Sequence, residues 1–388
     1  MARCIYCKET IDKSNETVEH ILPNGIGGKL KSKRLVCKKC NNRFGEEIDV
    51  ELLSQLNQFS TLLNIKRDRG KPRWVKAERT GEVRSYYIKP GGKPVIGKPM
   101  VEIKDDGKAA KVTIEARDTS ELRHILRGVK RRYPKFNVDE VLKQARYQKE
   151  YLKDSLHFNL SIGGPHSFRA ISKIAYNYYR YKNPDEEGLN FNDIERYIKG
   201  ELAEKDFVWF YYSDKDVIIK QPIEILHSIA LKGNLEDYSL YAYVELFNAF
   251  KFIVLLSTEY TGRVVEQVYN YNVVNRKEVF RSFDLNLTLE DIRTLLSEKP
   301  QFFNLFRGEF GSLLSLIHRK QTEEYRNEII ERAIKNSFIK HPQGSIITQQ
   351  MLNEFVDELM KGMIPFLSES SLKKDWLRPE EDKAWRDL

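Results

Sequence analysis

Two cysteine pairs and one Glu-His dipeptide are the residues of this chain whose types and spacing could support chemistry. Cys4 and Cys7 form one Cys-x-x-Cys pair and Cys37 and Cys40 form the second, which together use every cysteine of the sequence. Four thiolates at this spacing complete the tetrahedral coordination that Zn2+ prefers. We therefore predict a structural Zn2+ site without an open position for a substrate. A redox-active Cys-x-x-Cys pair of the thioredoxin type is the alternative.

Glu19 and His20 lie between the two cysteine pairs, in the segment TVEHIL. Because adjacent side chains of a strand point to opposite faces, one can ligate a metal while the other is offered to a water, provided that the chain bends there. Closure of the zinc site brings Asn41 close to the dipeptide and adds another oxygen ligand. An oxygen-rich site of this kind suits Mg2+ or Mn2+. The sequence thus predicts a second, catalytic metal site beside the structural one.

Two short strands and a helix must position these residues. TVEHIL has the composition of a strand, PNGIGG is a turn-rich connection, and RLV leads into the second cysteine pair as another short strand. After Cys40 the apolar residues step by three or four, which predicts a helix of about six turns. The residues of this stripe are Phe44, Ile48, Leu52, Leu56, Phe59 and Leu63.

The segments EHILP, GIGG and VCKKCNN, bracketed by the two cysteine pairs, resemble the zinc-knuckle branch of the HNH endonucleases, which have a ββα-metal fold. The resemblance covers residues 4 to about 50. It implies that Glu19 ligates a divalent ion and that His20 is the general base that activates water. It also implies that Asn41 completes the metal site, with Asn42 as a nearby substitute.

The segment departs from the family pattern at two positions. Glu19 stands where Asp is commoner, which preserves the type of ligand. No asparagine lies between residues 25 and 40, where the family has one that helps to fix the loop and the base. Ser32 or backbone groups are the candidates to replace it.

The chain is mildly basic, and its basic residues are concentrated near the predicted site. Lys and Arg total 65 against 56 Asp and Glu, which gives a net charge of +9 and a pI near 9.1. This balance favours a polyanionic partner, although a charge run ordinarily forms a solvated face. The resemblance implies double-stranded DNA, read with low sequence specificity. The candidate DNA-binding residues, which have no acidic residue among them, are Lys29, Lys31, Lys33, Arg34, Lys38, Lys39 and Arg43.

At 388 residues the chain is too long for one ordinary core, so two or three domains are expected. We predict an HNH nuclease domain with its four-cysteine zinc site at 1–64 and a mixed α+β region at 65–388, with a further boundary considered near 150. The fold class is α+β, a small N-terminal ββα-metal zinc domain followed by a larger mixed region. That region is expected to position DNA, sense a signal or form a homo-oligomer.

Alternating apolar and helical patterns give a coarse outline of the larger region. Helices are predicted at SELRHILRGVKRR, VDEVLKQARYQKEYLK and FRAISKIAYNYYRY, and over most of about the last hundred residues. The predicted strands are RSYYIK, MVEIK, KVTIEA, LHFNLSI, DFVWFYYS, VIIKQPI and YAYVELFNAFKFIVLLS. FKFIVLLS is too short to cross a bilayer and MARCIYCK lacks the apolar core of a signal peptide, so a cytoplasmic protein without membrane insertion is predicted.

The function predicted from these residues is a metal-dependent HNH endonuclease that hydrolyses DNA phosphodiester bonds with His20 as the general base. A nuclease of low specificity would harm its host, so we expect the larger region to restrain it until a signal arrives, as in bacterial anti-phage defence effectors. Two alternatives stay open. One is a non-catalytic, zinc-containing nucleic-acid-binding regulator, and the other is a nuclease directed at RNA.

Overall fold

The computed structural model of the protein describes residues 2–79, 85–105, 110–146, 156–186, 188–202, 206–339, 341 and 344–367. The chain divides into two compact units, Met1–Leu316 and Ile317–Leu388. Helices and sheets are mixed along the sequence, which confirms the α+β fold class. The boundaries at 64 and near 150 stay predictions.

The N-terminal elements follow the expected order of strand, loop, strand and helix. Strand β1 (Glu19–His20) pairs antiparallel with β2 (Lys31–Ser32), and a 3-10 turn at Asn24–Ile26 lies between them. The prediction of RLV as the second strand is wrong. Leu35 and Val36 are buried, and their apolar side chains fill the core while the preceding polar residues make the strand pairing.

One continuous helical segment follows the second cysteine pair. It consists of α1 (Lys38–Phe44), a π turn at Gly45–Asp49 and α2 (Val50–Leu62). All six apolar residues of the predicted stripe are buried. The helix expected after Cys40 is therefore confirmed, although its π turn was not anticipated.

Two small antiparallel sheets and two helices come next. One sheet has the strand order β5-β4-β3-β8, and β6 pairs with β7 in a separate hairpin. LHFNLSI contributes only the two residues of β8, and the predicted second helix ends early, with 147–155 outside the described residues. The bounds are β3 Val75–Arg79, β4 Ser85–Ile88, β5 Pro94–Ile96, β6 Met100–Asp105, β7 Ala110–Glu115, α3 Thr119–Arg132, α4 Val138–Gln144 and β8 Leu156–His157.

A six-stranded antiparallel sheet forms the largest core of the first unit, with strand order β14-β13-β10-β11-β12-β9. Most side chains of β10, β11 and β12 are buried, which means that both faces of these strands are covered. VIIKQPI forms no strand, and only Ile218 makes an isolated bridge, to Phe283. The bounds are β9 Val208–Phe210, β10 Leu226–Asn234, β11 Ser239–Leu246, β12 Phe250–Ser257, β13 Val265–Asn272 and β14 Lys277–Glu278.

Helix α5 (Pro165–Lys182) links the N-terminal elements to this sheet. It packs against the π turn, α2 and several strands of the six-stranded sheet. Every residue from Ala170 to Tyr179 is buried, including the polar Lys173 and Asn177. Helix α6 (Asn192–Lys199) packs against α5, and α7 (Leu289–Glu298) follows the sheet.

The described residues of the second unit are mainly helical, as the sequence predicts, and 368–388 lie outside the described residues. Helix α8 (Phe303–Phe338) begins in the first unit and continues into the second, and α9 (Gln349–Leu367) follows it. Ile329, Ala333 and Met351 are buried. Among the described residues, no helix combines the length and apolarity that a membrane span requires.

Candidate functional site

The two cysteine pairs come together at the ends of the N-terminal segment. The Ile5 N–H donates to the Leu35 carbonyl at 2.9 Å, which joins the first turn to the second. The chain reverses after the first pair at Lys8, whose φ of 64° lies in the left-handed region. The second pair stands at the start of α1, with Cys37 as its extended N-cap residue.

The four thiols form one compact set. Their Sγ atoms all lie within 4.8 Å of one another, and Cys7 Sγ is 3.6 Å from Cys37 Sγ. Thiolates that share a tetrahedral Zn2+ are separated by about 3.8 Å, so this donor set fits a metal ion. A hydrogen bond from the Cys40 thiol lowers the pKa of Cys4 to about 4, whereas burial raises the pKa of Cys7, so without a metal ion the thiolate form is favoured at Cys4 and disfavoured at Cys7.

Glu19 points into the protein interior. Its side chain is buried, and Oε1 lies 2.9 Å from Lys173 Nζ and 2.9 Å from Asn177 Nδ2, both on α5. Lys173 Nζ also lies 2.6 Å from Asp49 Oδ2, on the π turn. The predicted metal-binding carboxylate is thus already neutralised by a buried ammonium group.

His20 points to the opposite face of β1, as the alternation of a strand requires. Its Nε2 lies 3.3 Å from Asp68 Oδ2, and its side chain is partly exposed. Lys29 Nζ lies 2.5 Å from Asp68 Oδ1, and Lys31 Nζ lies 4.0 Å from Asp68 Oδ2. Two of the predicted DNA-binding lysines therefore surround the carboxylate that contacts the predicted base.

Burial and the neighbouring charges together determine the protonation state of His20, with burial as the larger influence. Partial burial lowers the pKa of His20 and outweighs the opposing effect of Asp68, so the imidazole is neutral at neutral pH. The Lys29 ammonium, with His20, lowers the pKa of Asp68 to about 2. An ionised Asp68 only accepts hydrogen bonds, which assigns the imidazole proton to Nε2 and leaves Nδ1 with a free lone pair.

Asn41 lies beside the start of β1. Its Nδ2 donates to Thr17 Oγ1 and to the Val18 carbonyl, each at 3.2 Å. The nearby Asn42 is exposed. Among the described residues, the cysteines are the only group of three or more His, Cys, Asp or Glu side chains spaced to hold a metal ion.

The remaining basic residues do not gather at His20. Lys33 lies 3.5 Å from Glu16, and Arg43 lies against Glu47 and donates to the Lys199 carbonyl. The others, Arg34, Lys38 and Lys39, are exposed.

Asp68 lies next to His20, and no pattern in the sequence indicates that contact. Ser32, the candidate to replace the missing asparagine, instead accepts the Arg34 N–H at 3.1 Å. Asp68 contacts His20 from a different segment, beyond α2, and its own N–H donates to Asn24 Oδ1 at 3.0 Å. No spacing rule within the motif could have identified it.

The sequence model of the HNH endonuclease family matches residues 4–57. This segment contains the four cysteines, Glu19, His20 and Asn41, and the match confirms the resemblance that these residues carry. It supports a nuclease family and nucleic-acid binding for this part of the chain. No curated protein and no solved structure matched the chain.

Proposed function

We propose that the N-terminal segment is an HNH endonuclease that hydrolyses phosphodiester bonds of DNA, with His20 as the general base. The observation that carries the proposal is the family match over residues 4–57. His20 lies in this segment, and the resemblance of its motif to the family implies the role of base for it. On the accessible face of β1, this histidine lies beside the Asp68 carboxylate, which also contacts Lys29 and Lys31. These groups have the chemistry needed to bind a phosphate and to accept a proton.

His20 would take the proton of the attacking water at Nδ1. A neutral imidazole with an unprotonated Nδ1 can accept that proton as the water oxygen attacks phosphorus and the bond from phosphorus to the departing 3' oxygen breaks, with solvent water protonating that oxygen. Asp68 acts as a positioning residue, because its bond to Nε2–H holds the ring and would stabilise the imidazolium that forms. The geometry of the base would thus depend on a residue outside the motif.

Lys29 and Lys31 would bind the phosphate backbone next to the base. Backbone contacts of this kind supply affinity that falls with salt and carry little sequence information. Double-stranded DNA cut with low specificity is therefore the proposed substrate. The exposed Arg34, Lys38 and Lys39 would extend the same electrostatic attraction.

The two proposed metals differ in how well the residues fit them. The thiolates are suited to a structural Zn2+, which would hold the segment together and leave no coordination position for chemistry. Mg2+ or Mn2+ at Glu19 and Asn41 does not fit the observed arrangement, because Lys173 Nζ stands against Glu19 Oε1. The chemistry assigned to the observed arrangement is therefore proton transfer and phosphate binding by the chain itself.

The same observation favours a second function, a zinc-containing nucleic-acid-binding regulator without catalysis. If Glu19 served only to fix α5, the basic residues and the thiolate site would still form a binding module. Restraint of an active nuclease, as in an anti-phage defence effector of the cytoplasm, is the alternative account of that contact. An RNA substrate is a further outcome that the same assay resolves.

The test is nicking of supercoiled plasmid by the full chain in Mg2+, Mn2+ or EDTA, with labelled RNA in parallel. The four proteins compared are wild type, Lys173→Met, His20→Ala and the double variant Lys173→Met with His20→Ala. We expect nicking that depends on the divalent ion, weaker in wild type, where Lys173 must first leave Glu19, than in Lys173→Met, and abolished in both by His20→Ala. Asp68→Ala should lower the rate without weakening DNA binding, and Asp68→Asn, which retains an acceptor oxygen, should keep part of it.

Protein that binds DNA but leaves it intact with every ion, in wild type and Lys173→Met alike, would contradict the hydrolase and support the regulator. Cleavage of RNA but not of DNA would show that RNA is the substrate. Zinc content and circular dichroism of each variant establish that a lost activity is not lost folding.

A further inference from the structure

A buried lysine stands at the carboxylate that the proposed function gives to a metal. The Lys173 side chain is 1% exposed, and its Nζ contacts Glu19 Oε1 at 2.9 Å and Asp49 Oδ2 at 2.6 Å. The ring of Phe44 lies 5.8 Å from the same nitrogen. The ammonium group is therefore enclosed by two carboxylates and apolar surface.

These contacts keep the lysine charged. Burial alone lowers the pKa of Lys173, but the Asp49 and Glu19 carboxylates raise it overall. Removing an ammonium group from water is strongly unfavourable unless anions lie close by. The two carboxylates and the lysine thus depend on one another.

The lysine belongs to α5, which lies outside the segment that matches the HNH family. Lys173 and Asn177 are one helical turn apart and share a face, and both donate to Glu19 Oε1. The Tyr6 O–H donates in turn to Asn177 Oδ1 at 2.7 Å. One polar face of α5 is therefore hydrogen-bonded both to β1 and to the turn that carries Cys4 and Cys7.

We infer that Lys173 is a tethered counter-ion that holds the nuclease site closed by occupying Glu19 Oε1 in place of a divalent cation. The inference rests on the proposed function for the role of Glu19. A divalent ion and an ammonium group cannot share one buried carboxylate oxygen without strong repulsion. Metal binding at Glu19 therefore requires the lysine to leave, which couples the site to the position of α5.

This coupling identifies how the larger region could restrain the segment. A partner or ligand that binds more tightly to the chain when α5 is displaced would shift the population towards the open site. The restraint needs no separate inhibitory domain, because one side chain supplies the competing cation. Its strength is set by the bonds of Lys173 to Glu19 and Asp49.

The experiment measures Mn2+ binding to the full-length, zinc-loaded protein by the electron paramagnetic resonance signal of free Mn2+, with plasmid nicking alongside. Lys173→Met removes the cation and keeps most of the apolar stem. We expect Mn2+ binding and initial nicking to increase by about tenfold or more relative to wild type, since the competing state is removed. The double variant Glu19→Ala with Lys173→Met should lose the gain in Mn2+ binding.

Lys251→Met is the matched control. Lys251 is also a buried lysine with two carboxylates, with Nζ 2.9 Å from Asp216 Oδ1 and 2.7 Å from Glu309 Oε1, but it lies on β12. Its loss also removes a buried ammonium group from two carboxylates, although Asp216 keeps Lys220 at 3.5 Å, so a general effect of losing a buried lysine appears in both variants. Only Lys173→Met should gain Mn2+ binding that depends on Glu19.

A folded Lys173→Met with Mn2+ binding equal to wild type would overturn the inference. If that variant fails to fold, Lys173→Gln, which keeps a hydrogen-bond donor without the charge, takes its place with the same two outcomes. If wild type and Lys173→Met nick plasmid equally, the proposal of a hydrolase stands and the proposal that Lys173 is a counter-ion is rejected. A Glu19-dependent gain in Mn2+ binding without any nicking would retain the counter-ion contact and reject the hydrolase.

Discussion

The thiolate set and the Glu19 carboxylate lie within the same N-terminal segment, yet they are completed in different ways. The four thiols are brought together by two short turns and one backbone hydrogen bond between them. Glu19 instead finds its partners on α5, 154 and 158 residues further along the chain. A site whose groups all come from neighbouring turns forms when the N-terminal segment folds. A site that takes its partners from a distant helix changes whenever that helix moves.

Loss of a zinc ligand should have the largest effect on stability. Cys37→Ser removes one of the four proposed ligands, which is buried, and structural zinc sites supply on the order of 10 kcal/mol of binding free energy that is also folding free energy. We expect the variant to retain less than one zinc per chain and to melt at a lower temperature. Metal analysis and circular dichroism measure both quantities. His20→Ala, which leaves the thiols untouched, should keep its zinc, and an unchanged zinc content in Cys37→Ser would mean that the thiolates are not its ligands.

A double-mutant cycle on Glu19 and Lys173 tests the distant contact directly. Glu19→Gln and Lys173→Met should each destabilise the first unit by about 3–5 kcal/mol, because each leaves a buried charge with one partner fewer. The double variant should be destabilised by about 1–3 kcal/mol less than the sum of the single changes, as expected for residues in contact. Urea unfolding gives the three values. Additive losses would show that the two side chains do not interact, and the contrast with the thiolates would disappear.

We expect a smaller, pH-dependent effect on the free energy of unfolding at another long-range contact, which involves His227. Its Nε2 lies 2.9 Å from the Ile26 carbonyl, between β1 and β2, and its Nδ1 accepts the Phe247 N–H at 3.1 Å. Burial lowers the pKa of His227 from 6.5 to about 4, so the folded protein favours the neutral ring. This contribution is complete above pH 6.5 and is lost as the pH falls towards 4, which amounts to about 3 kcal/mol.

Unfolding of wild type and His227→Gln at a series of pH values isolates that contribution. Carboxylates titrate in both proteins, so the difference between their slopes below pH 6.5 reports the histidine alone. Parallel curves would show that His227 is not held neutral by its burial. The N-terminal loop would then depend less on the six-stranded sheet than its contacts indicate.

The sequence predicted what depends on neighbours along the chain. Cysteine spacing located the thiolate set, and the apolar stripe located the helix that begins at Lys38. The alternation of strand residues correctly placed Glu19 and His20 on opposite faces, which is why one is buried and the other is partly exposed. The alternation does not specify which groups each face contacts.

The distant contacts could not be predicted for a physical reason. Lys173 lies in a run whose aromatic and aliphatic residues indicate only a buried helix, and pairing it with Glu19 requires the tertiary structure. Asp68 follows α2 in a polar stretch without periodicity. Strands β10 and β13 were missed because polar residues such as Lys232, Asn270 and Asn272 interrupt their apolar pattern. Pro222 lies in VIIKQPI and has no N–H for a ladder, which disfavours the strand predicted there.

The π turn at Gly45–Asp49 has a consequence for the phase of the N-terminal helix. Phe44, Ile48, Leu52 and Leu56 are spaced by four, so on an ideal α-helix the stripe would rotate by about 40° at each step. The extra residue of a π turn takes up about 100° of that drift, which keeps both halves of the stripe in the core. Deleting one residue from this turn would restore regular α-helical bonds and leave the phase of α2 relative to the second cysteine pair nearly unchanged, because the deletion removes the residue that the π turn absorbs. The π turn therefore offsets the rotation of the apolar stripe, so that the stripe residues of α1 and of α2 are all buried.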